Sequence, residues 1–310
     1  MSSFRRILYS RILLAFSLAA LMLLLGVSLS TQSVSANHPV LVEGNCDSPV
    51  PGTTLVQFGT CGDYDGDGRI GTAEDTDGAD RIFGTLRAAL GPGTGAAAGT
   101  GANFNGTITI VRSGRFAESL FIGDQGIVPG EGSAAAGHVT IEAAPGVVAN
   151  INAVLQGDAA GNFDRQNTYG IRISYLANNR RVVLRNLLIS NFDVGVLITN
   201  DSRVTMDNCR FENNLNFGIR VRDTSRLAVF DSKVYATGFR LGSGTASTPS
   251  FGHGIYFENS AAGEVAHSHG TGNFGAALAN AGSGLVTYYE LFVGDNRQGP
   301  ILGAVRNNTP

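Results

Sequence analysis

Short runs of alternating apolar and polar residues dominate the chain from residue 106 onward. Residues 106–111 (GTITIV) and 138–142 (HVTIE) are two examples, and the runs are separated by Gly, Pro and Asn. Alternation with a period of two is typical of β-strands that bury one face, and Gly, Pro and Asn favour tight turns. The pattern therefore predicts many short strands joined by tight turns.

These runs repeat at a nearly constant interval. Four of them align without gaps: VVLRNLLISN (182–191), VTMDNCRFEN (204–213), LAVFDSKVYA (227–236) and VTYYELFVGD (286–295). The alignment gives three apolar columns: Val182, Val204, Leu227 and Val286; Leu184, Met206, Val229 and Tyr288; Ile189, Phe211, Val234 and Val293. Glycines recur at spacings of 25, 23, 36, 21 and 24 residues: Gly170, Gly195, Gly218, Gly254, Gly275 and Gly299. The longest spacing contains an insertion at residues 241–251.

Most of these spacings fall between 21 and 25 residues, which matches one coil of a parallel β-solenoid and is too short for propeller blades. One coil cannot bury its apolar face, whereas stacked coils bury continuous columns at about 1.5–3 kcal/mol per large side chain. A further column is polar and contains Asn186, Asn208, Asp231 and Glu290. We expect these four residues to stack as a ladder at a bend between strands.

The repeating sequence resembles the right-handed parallel β-helix of pectate-lyase-like proteins. The resemblance rests on residues 106–122 (GTITIVRSGRFAESLFI), residues 138–147 (HVTIEAAPGV) and coils of the Asn-Phe-Gly-Ile type, and it covers about two thirds of the chain. It implies an all-β fold, with a right-handed parallel β-helix domain at residues 106–310.

A short helix is predicted just before this domain. Residues 79–90 (ADRIFGTLRAAL) place apolar side chains at spacings of three and four, and Gly-Pro-Gly at 91–93 ends the pattern. The segment is similar to the short helix that covers the N-terminal end of such β-helices. We expect it to cap the solenoid, with residues 91–105 as a linker.

An acidic stretch at residues 63–74 matches the twelve-residue loop D-x-D-x-D-G-x-I-x-x-x-E. The spacing lets alternate oxygens converge on one Ca²⁺, with ligands from Asp63, Asp65, Asp67, the carbonyl of Arg69 and both oxygens of Glu74. The stretch resembles the EF-hand loop and, because it stands alone, the loops of dockerin-like modules. Neither an entering helix nor a second loop is recognisable, so we expect a structural site; the alternative is a solvated acidic loop without metal.

The N-terminal residues indicate export. Three arginines precede an apolar run at residues 12–29, and Val34-Ser35-Ala36 is a small-residue cleavage site. Residues 1–36 are therefore predicted to be a signal peptide, with an uncleaved anchor as the alternative. Residues 37–105 then hold the calcium loop, the capping helix and the linker, and the protein is expected to be secreted or at the cell surface.

The three cysteines fit an exported protein with one disulfide. Cys46 and Cys61 lie 15 residues apart in a Gly- and Pro-rich segment and are predicted to pair, for about 3 kcal/mol of stabilisation. Cys209 lies within an alternating apolar run and is expected to be buried and unpaired.

The charge balance limits the partners. The chain has a formal net charge of −3, and loss of the three arginines of residues 1–36 changes it to −6. That mild acidity argues against nucleic acid, and no second membrane span is expected after the signal. An open solenoid end exposes strand edges, so the C-terminal coil at residues 301–305 is expected to self-associate or to be capped by a partner.

A candidate binding patch lies on the strands that follow the repeat glycines. Alternation predicts that Arg220, Arg222, Tyr256 and Glu258 point outward, in neighbouring coils. Such a patch is suited to an acidic glycan, because arginine binds carboxylates and tyrosine packs on a sugar face. The alternative is a solvated salt bridge between the coils.

The resemblance implies where catalysis would be found. Pectate-lyase-like enzymes carry acidic calcium ligands and a basic Arg or Lys on one outer sheet face, and related hydrolases use two or three Asp on neighbouring coils. Neither constellation is found in this sequence. We therefore expect polysaccharide binding without an evident catalytic site; a polysaccharide lyase or glycoside hydrolase and a structural or adhesive surface protein are the alternatives.

Overall fold

The computed structural model describes residues 40–43, 82–83, 86–90, 106–123, 138–153, 155–157, 163–165, 169–174, 176, 180–238 and 252–308. All of them belong to one compact unit, Pro39–Pro310. The predicted signal peptide, the Cys46–Cys61 disulfide, the linker and the calcium ligands Asp63, Asp65, Asp67, Arg69 and Glu74 lie outside the described residues. No helix within the described residues is long and apolar enough to cross a membrane.

Parallel strands form three long sheets. In the described part of the chain, sheet 1 has ten strands in the spatial order β2 (Ile82–Phe83), β1 (Val40–Glu43), β3 (Gly106–Arg112), β6 (Val139–Ala143), β11 (Val182–Arg185), β14 (Arg203–Asp207), β17 (Arg226–Phe230), β20 (Ala262–Ala266), β23 (Val286–Tyr289) and β26 (Val305–Asn307).

Sheets 2 and 3 have seven strands each among the described residues. Sheet 2 contains β4 (Gly114–Phe116), β7 (Ala149–Asn152), β12 (Leu187–Ser190), β15 (Arg210–Glu212), β18 (Lys233–Tyr235), β21 (His269–Thr271) and β24 (Phe292–Gly294). Sheet 3 contains β5 (Leu120–Gly123), β10 (Tyr169–Ser174), β13 (Val194–Thr199), β16 (Phe217–Val221), β19 (His253–Phe257), β22 (Leu278–Asn280) and β25 (Ile301–Gly303). An antiparallel pair, β8 (Leu155–Gly157) and β9 (Phe163–Arg165), stands apart from the three sheets.

Each coil contributes one strand to sheet 1, the next to sheet 2 and a third to sheet 3, before the chain returns to sheet 1. Consecutive coils pair in parallel in every sheet. This arrangement confirms the predicted parallel β-helix.

The predicted core columns are confirmed by the strand register. Val182 pairs with Val204, which pairs with Leu227. The next residues in that column are Gly263 and Val286, so the coil that begins at Ala262 was missing from the sequence alignment. The side chains of these columns from Val182 to Val234 are buried in one continuous core, whereas in the coil at residues 286–295 only Val286 is buried, Tyr288 packs against the core and Val293 is partly exposed.

The predicted polar ladder is also present, at the bend between sheets 1 and 2. Its residues have left-handed backbone conformations, with φ of 56° at Asn186, 49° at Asn208, 49° at Asp231 and 47° at Glu290. The side-chain amide of Asn208 donates a hydrogen bond of 2.8 Å to Oδ1 of Asn186. His267, with φ of 48°, supplies the rung of the coil that the alignment left out.

The predicted helix is shorter than the pattern at residues 79–90 indicated. Ile82 and Phe83 form strand β2, which pairs with β1, and only α1 (Leu86–Ala89) is helical. An isolated helix of this length is marginal, whereas pairing with an existing strand satisfies the backbone of residues 82 and 83 at once. The side chains of Leu86 and Leu90 are nevertheless buried in the continuous core.

A carboxylate from the first coil holds the start of α1. The oxygens of Glu118 accept the backbone N–H groups of Leu86 and Arg87, at 3.0 and 2.9 Å. These are two of the N–H groups that a helix leaves without an internal partner. Burial raises the pKa of Glu118, while the two backbone hydrogen bonds oppose that rise.

Glycine is required where the chain enters sheet 3. A Cβ atom on Gly195 would lie 2.5 Å from the carbonyl oxygen of Gly218, and a Cβ atom on Gly218 would lie 2.4 Å from Cγ1 of Val234. A Cβ atom on Gly170 or on Gly254 would lie 2.6 Å from a backbone oxygen of the next coil. The requirement for glycine therefore holds over four coils.

The column does not continue to Gly275 and Gly299, and the sequence spacing was misleading there. A Cβ atom on Gly254 would meet the carbonyl oxygen of Ala277, at 2.6 Å, and Ala277 in turn donates its N–H to Pro300. Ala277 fits because the opposing residue of sheet 2, Gly270, has no side chain to meet its Cβ.

Candidate functional site

The outer face of sheet 3 brings together the four residues of the candidate patch. In the register of β16 and β19, Arg220 pairs with Tyr256, and Ile219 pairs with Ile255. The isoleucines are buried in the core, whereas Arg220 and Tyr256 remain partly exposed. Alternation along the strands thus turns one pair inward and the other outward.

Glu258 joins both arginines across the two coils. Its carboxylate accepts hydrogen bonds from Nε and Nη2 of Arg220, at 2.8 and 3.2 Å, and Oε1 lies 2.7 Å from Nε of Arg222. The side chains of Arg220 and Arg222 keep 28% and 42% of their surface exposed, against 17% for Glu258. The salt bridge named as the alternative is therefore present, and two guanidinium charges face one carboxylate.

Tyr256 packs beside this ion pair. Its ring stacks on His253, with centroids 5.3 Å apart and planes at 10°, and lies 5.0 Å from the ring of Phe217. Burial raises the pKa of Tyr256, the charge of Glu258 adds to the rise, and Arg220 opposes it. The phenol therefore stays neutral at ordinary pH and can act as a hydrogen-bond donor.

His253 lies in the same cluster and is almost fully buried. Its Nδ1 accepts the backbone N–H of Ala276 at 2.9 Å, so the ring needs no proton on that nitrogen. Burial lowers the pKa of His253. Both observations indicate a neutral imidazole in the folded protein.

Sequence reasoning missed Phe217 and His253 because alternation fails at the glycine column. Phe217 and His253 lie two positions before the buried Ile219 and Ile255, so strict alternation would point them inward. Their rings nevertheless lie on the outer face. A side chain at Gly218 would face Val234 of the core. Gly218 and Ile219 therefore both face inward, and the residue before them, Phe217, turns outward. The glycines themselves were the signal that could have located these rings.

The patch extends along the sheet toward the earlier coils. Leu197 precedes Arg220 in its register column, and Arg172 precedes Leu197. The Arg172 guanidinium lies over the ring of Phe121, 5.6 Å from its centroid. We call the outward residues Arg172, Tyr169, Phe217, Arg220, Arg222, His253, Tyr256 and Glu258 the sheet 3 patch.

The sheet 3 patch combines guanidinium groups, a phenol and apolar ring surface. Guanidinium groups bind carboxylates in a planar fork, and a partly exposed tyrosine offers both a ring face and a hydroxyl. Among the described residues, no group of three or more His, Cys, Asp or Glu side chains is placed to hold a metal ion. The chemistry available in the patch is recognition of a polar, acidic surface.

Comparison with known proteins identifies the repeating part. The family model described as right handed beta helix region matches residues 136–290, half of the chain. No curated protein and no solved structure matches the chain. The matched range begins just before β6, ends after β23, and includes the residues of the sheet 3 patch.

Proposed function

Because this chain belongs to the right-handed β-helix family, we propose on that premise that it is an exported protein that binds an acidic polysaccharide on the sheet 3 patch. The observation that carries the proposal is the pairing of Arg220 and Arg222 with a single carboxylate, Glu258, beside Tyr256. One positive charge is left in excess, so a uronate carboxylate can replace or join Glu258 at the guanidinium groups. Tyr256 then supplies a ring face for the sugar.

A quantitative binding assay tests this proposal. Oligosaccharides of a linear polyuronate are titrated against the wild-type protein and against Arg220→Gln, with the carboxyl-reduced, neutral form of the same polymer as ligand control. We expect Arg220→Gln to weaken binding of the acidic form at least tenfold, since a charge-assisted bidentate contact contributes about 1.5–3 kcal/mol. Equal affinity of the two proteins would refute the assignment of the patch.

Incubation of the protein with the same acidic and neutral polysaccharides decides between binding and catalysis. A lyase leaves unsaturated chain ends and a hydrolase leaves new reducing ends, and both products are measured after prolonged incubation. The proposal of binding without catalysis expects neither product. Turnover that disappears in Arg220→Gln would make the protein an enzyme that acts at this patch.

For the N-terminal part, we propose a structural calcium site formed by Asp63, Asp65, Asp67, the carbonyl of Arg69 and Glu74. The support is the match of the sequence to a calcium-loop pattern, including its glycine and its final glutamate. Extracellular calcium is abundant enough to fill such a site permanently. Bound Ca²⁺ and the proposed Cys46–Cys61 disulfide would brace the chain near the start of the solenoid.

Self-association at the cell surface is a second candidate function. The observation that favours it is the exposure of Phe292 and Leu302, which leave 61% and 37% of their surface open on the last coils. Light scattering over a hundredfold range of concentration tests it. A mass that rises with concentration, and no longer rises in Phe292→Ser, would support association through this coil; a constant monomer mass would refute it.

A further inference from the structure

Three arginines stack in consecutive coils on the outer face of sheet 1. Arg203 pairs directly with Arg226 in the register of β14 and β17. Arg181 immediately precedes Val182, which pairs with Val204, so it continues the same line one coil earlier. Neighbouring strands are about 4.8 Å apart. We call Arg181, Arg203 and Arg226 the arginine ladder.

None of the described carboxylates neutralises the arginine ladder. Within the described residues, no carboxylate forms an ion pair with Arg181, Arg203 or Arg226, and their side chains make no other polar contact. All three remain partly or fully exposed. Like charges on directly paired residues destabilise a sheet, so this arrangement lowers the stability of the solenoid unless an anion binds to it.

Another arginine of the same sheet shows the opposite arrangement. Arg185 lies in register between Glu142 and Asp207, and its guanidinium is 3.6 Å from a carboxylate oxygen of each. Sheet 1 therefore carries one column of alternating charges that neutralise each other. It also carries the arginine ladder, a column of three positive charges without a negative charge between them.

A groove runs beside the arginine ladder. It has a volume of about 510 Å³, and its lining includes all three arginines together with Thr205, Ala228 and Gly263, whose side chains are short or absent. The residue that pairs with Arg226 in the next coil is Ala262, and Glu264 of the same strand lines the groove. The positive surface thus extends over three coils and ends at a negative charge.

We propose that the arginine ladder is a second binding site, which holds a linear anionic polysaccharide along the solenoid axis. Each guanidinium would pair with one carboxylate or sulfate of the polymer, because the planar fork of arginine suits these groups. The site lies on sheet 1, whereas the function proposed above concerns sheet 3. It does not depend on the sheet 3 patch.

The lining of the groove favours a polysaccharide over other polyanions. Its lining contains no aromatic side chain, whereas proteins that bind single-stranded nucleic acid stack the bases on aromatic rings. The net charge of −3 also disfavours a nucleic acid partner. The short, uncharged side chains beside the arginines leave room for a flat polysaccharide that carries its charges at regular intervals.

Binding of a linear polyuronate by the intact protein tests the proposal. The variant is Arg203→Gln with Arg226→Gln, and Arg185→Gln is the matched control on the same sheet. The carboxyl-reduced polymer, a single-stranded oligonucleotide and vesicles with anionic lipid are the other ligands. We expect the double variant to bind the polyuronate at least tenfold more weakly and with a shallower salt dependence, and Arg185→Gln to bind it as the wild type does.

The outcomes separate this site from the one on sheet 3. Weaker polyuronate binding by the double variant supports the arginine ladder, whether or not Arg220→Gln also weakens binding. Unchanged binding by the double variant overturns it, and leaves the proposal for the sheet 3 patch to stand or fall by Arg220→Gln alone. Preference for the oligonucleotide or the vesicles over the polyuronate also overturns it.

Thermal stability provides a second readout. Because the arginine ladder brings like charges together, we expect the double variant to melt at the same temperature as the wild type or higher. The polyuronate should raise the melting temperature of the wild type and of Arg185→Gln, but not that of a variant lacking both the ladder charges and Arg220. A double variant that melts well below the wild type without ligand would indicate a structural role and overturn the proposal.

Discussion

Glu258 accepts two hydrogen bonds from Arg220 across neighbouring coils, at 2.8 Å from Nε and 3.2 Å from Nη2. The same carboxylate also lies 2.7 Å from Nε of Arg222. In the proposed binding site this carboxylate competes with the ligand, because it occupies the fork that a uronate group would use. If the proposal is correct, Glu258 sets the affinity of the patch for anions as well as its geometry.

We predict that Glu258→Gln binds acidic oligosaccharides more tightly than the wild type, by about threefold to tenfold, because both guanidinium groups lose their internal anion. The free energy of unfolding should fall by about 1–3 kcal/mol, since Glu258 is only 17% exposed and its hydrogen bonds to the guanidinium group are charge-assisted. Calorimetric titration measures the first effect and urea unfolding the second. Glu142→Gln, which removes a partner of Arg185 on sheet 1, is the control, and weaker binding by Glu258→Gln would contradict the prediction.

Removal of calcium is predicted to lower the melting temperature of the protein. A ligand that binds only the folded state stabilises it in proportion to RT ln(1 + [L]/Kd), so a chelator withdraws that contribution. Asp63→Asn with Glu74→Gln should melt at the lower temperature with or without calcium. Asp77→Asn, just outside the twelve-residue loop, should respond to calcium as the wild type does. A calorimetric melting curve of the wild type that is identical with and without chelator would contradict the calcium site.

The polar ladder offers a test of backbone strain. Asn208 has φ of 49° and donates to Asn186 at 2.8 Å, so Asn208→Ala loses a hydrogen bond and keeps a Cβ in the left-handed region without the amide that makes this conformation tolerable for asparagine. We predict a loss of about 1–3 kcal/mol in the free energy of unfolding, of which Asn208→Gly should recover the strain component. Chemical denaturation measures both, with Asn308→Ala on the exposed last strand end as control. Equal stability of the alanine and glycine variants would show that strain contributes nothing.

Much of the fold could be predicted because the solenoid repeats the same physical problem in every coil. Val182, Val204 and Leu227 each bury a side chain at the same place, so a gapless alignment was enough to find their column. The left-handed bend could be recognised for a similar reason, since Asn tolerates that conformation better than most residues. Regular geometry produces a regular sequence.

The coil at residues 262–271 was missing from the sequence alignment because its core column holds a glycine, Gly263, whose missing volume is supplied by Phe257 of another sheet. A Cβ on Gly263 would lie 2.7 Å from a ring carbon of Phe257, so the phenylalanine fills the space that valine or leucine fills in other coils. Such an exchange of volume between two sheets leaves the core packed and the column pattern broken. No single-column alignment can detect it.

The candidate sites were predicted only in part, for different reasons. Arg220 and Tyr256 obey simple alternation, whereas Phe217 and His253 immediately precede the column glycines and turn outward. The arginine ladder was readable in principle, because Arg181, Arg203 and Arg226 each precede a residue of the first core column. It was overlooked because the alignment began one residue later. What the sequence alone could not supply is that none of the described carboxylates, Glu264 of the groove included, forms an ion pair with those arginines.

The buried cysteine gives a chemical test of the core and of the proposed disulfide. Burial raises the pKa of Cys209 to about 12, so its thiol has almost no reactive thiolate at neutral pH. We predict no labelling of Cys209 by a thiol reagent in the native protein. After denaturation, one thiol should react without reductant and three with it, since Cys46 and Cys61 are expected to be paired. Mass spectrometry of the labelled peptides makes the count, and native labelling of Cys209 would contradict the buried position.

The sheet 3 patch should make the protein sensitive to acid through His253. Its pKa is lowered by burial, so the unfolded chain takes up the proton at a higher pH than the folded protein does. The stability that depends on the neutral ring is therefore fully present above about pH 6.5, and it is lost as the pH falls toward the lowered value. His253→Asn should remove this loss, because its Oδ1 can accept the N–H of Ala276 in place of Nδ1 without titrating. Urea unfolding at about pH 7.5 and pH 5 measures the difference, in which all other titrating groups cancel between the two proteins. If wild type and variant lose equal stability between these two pH values, the neutral histidine does not contribute to acid sensitivity.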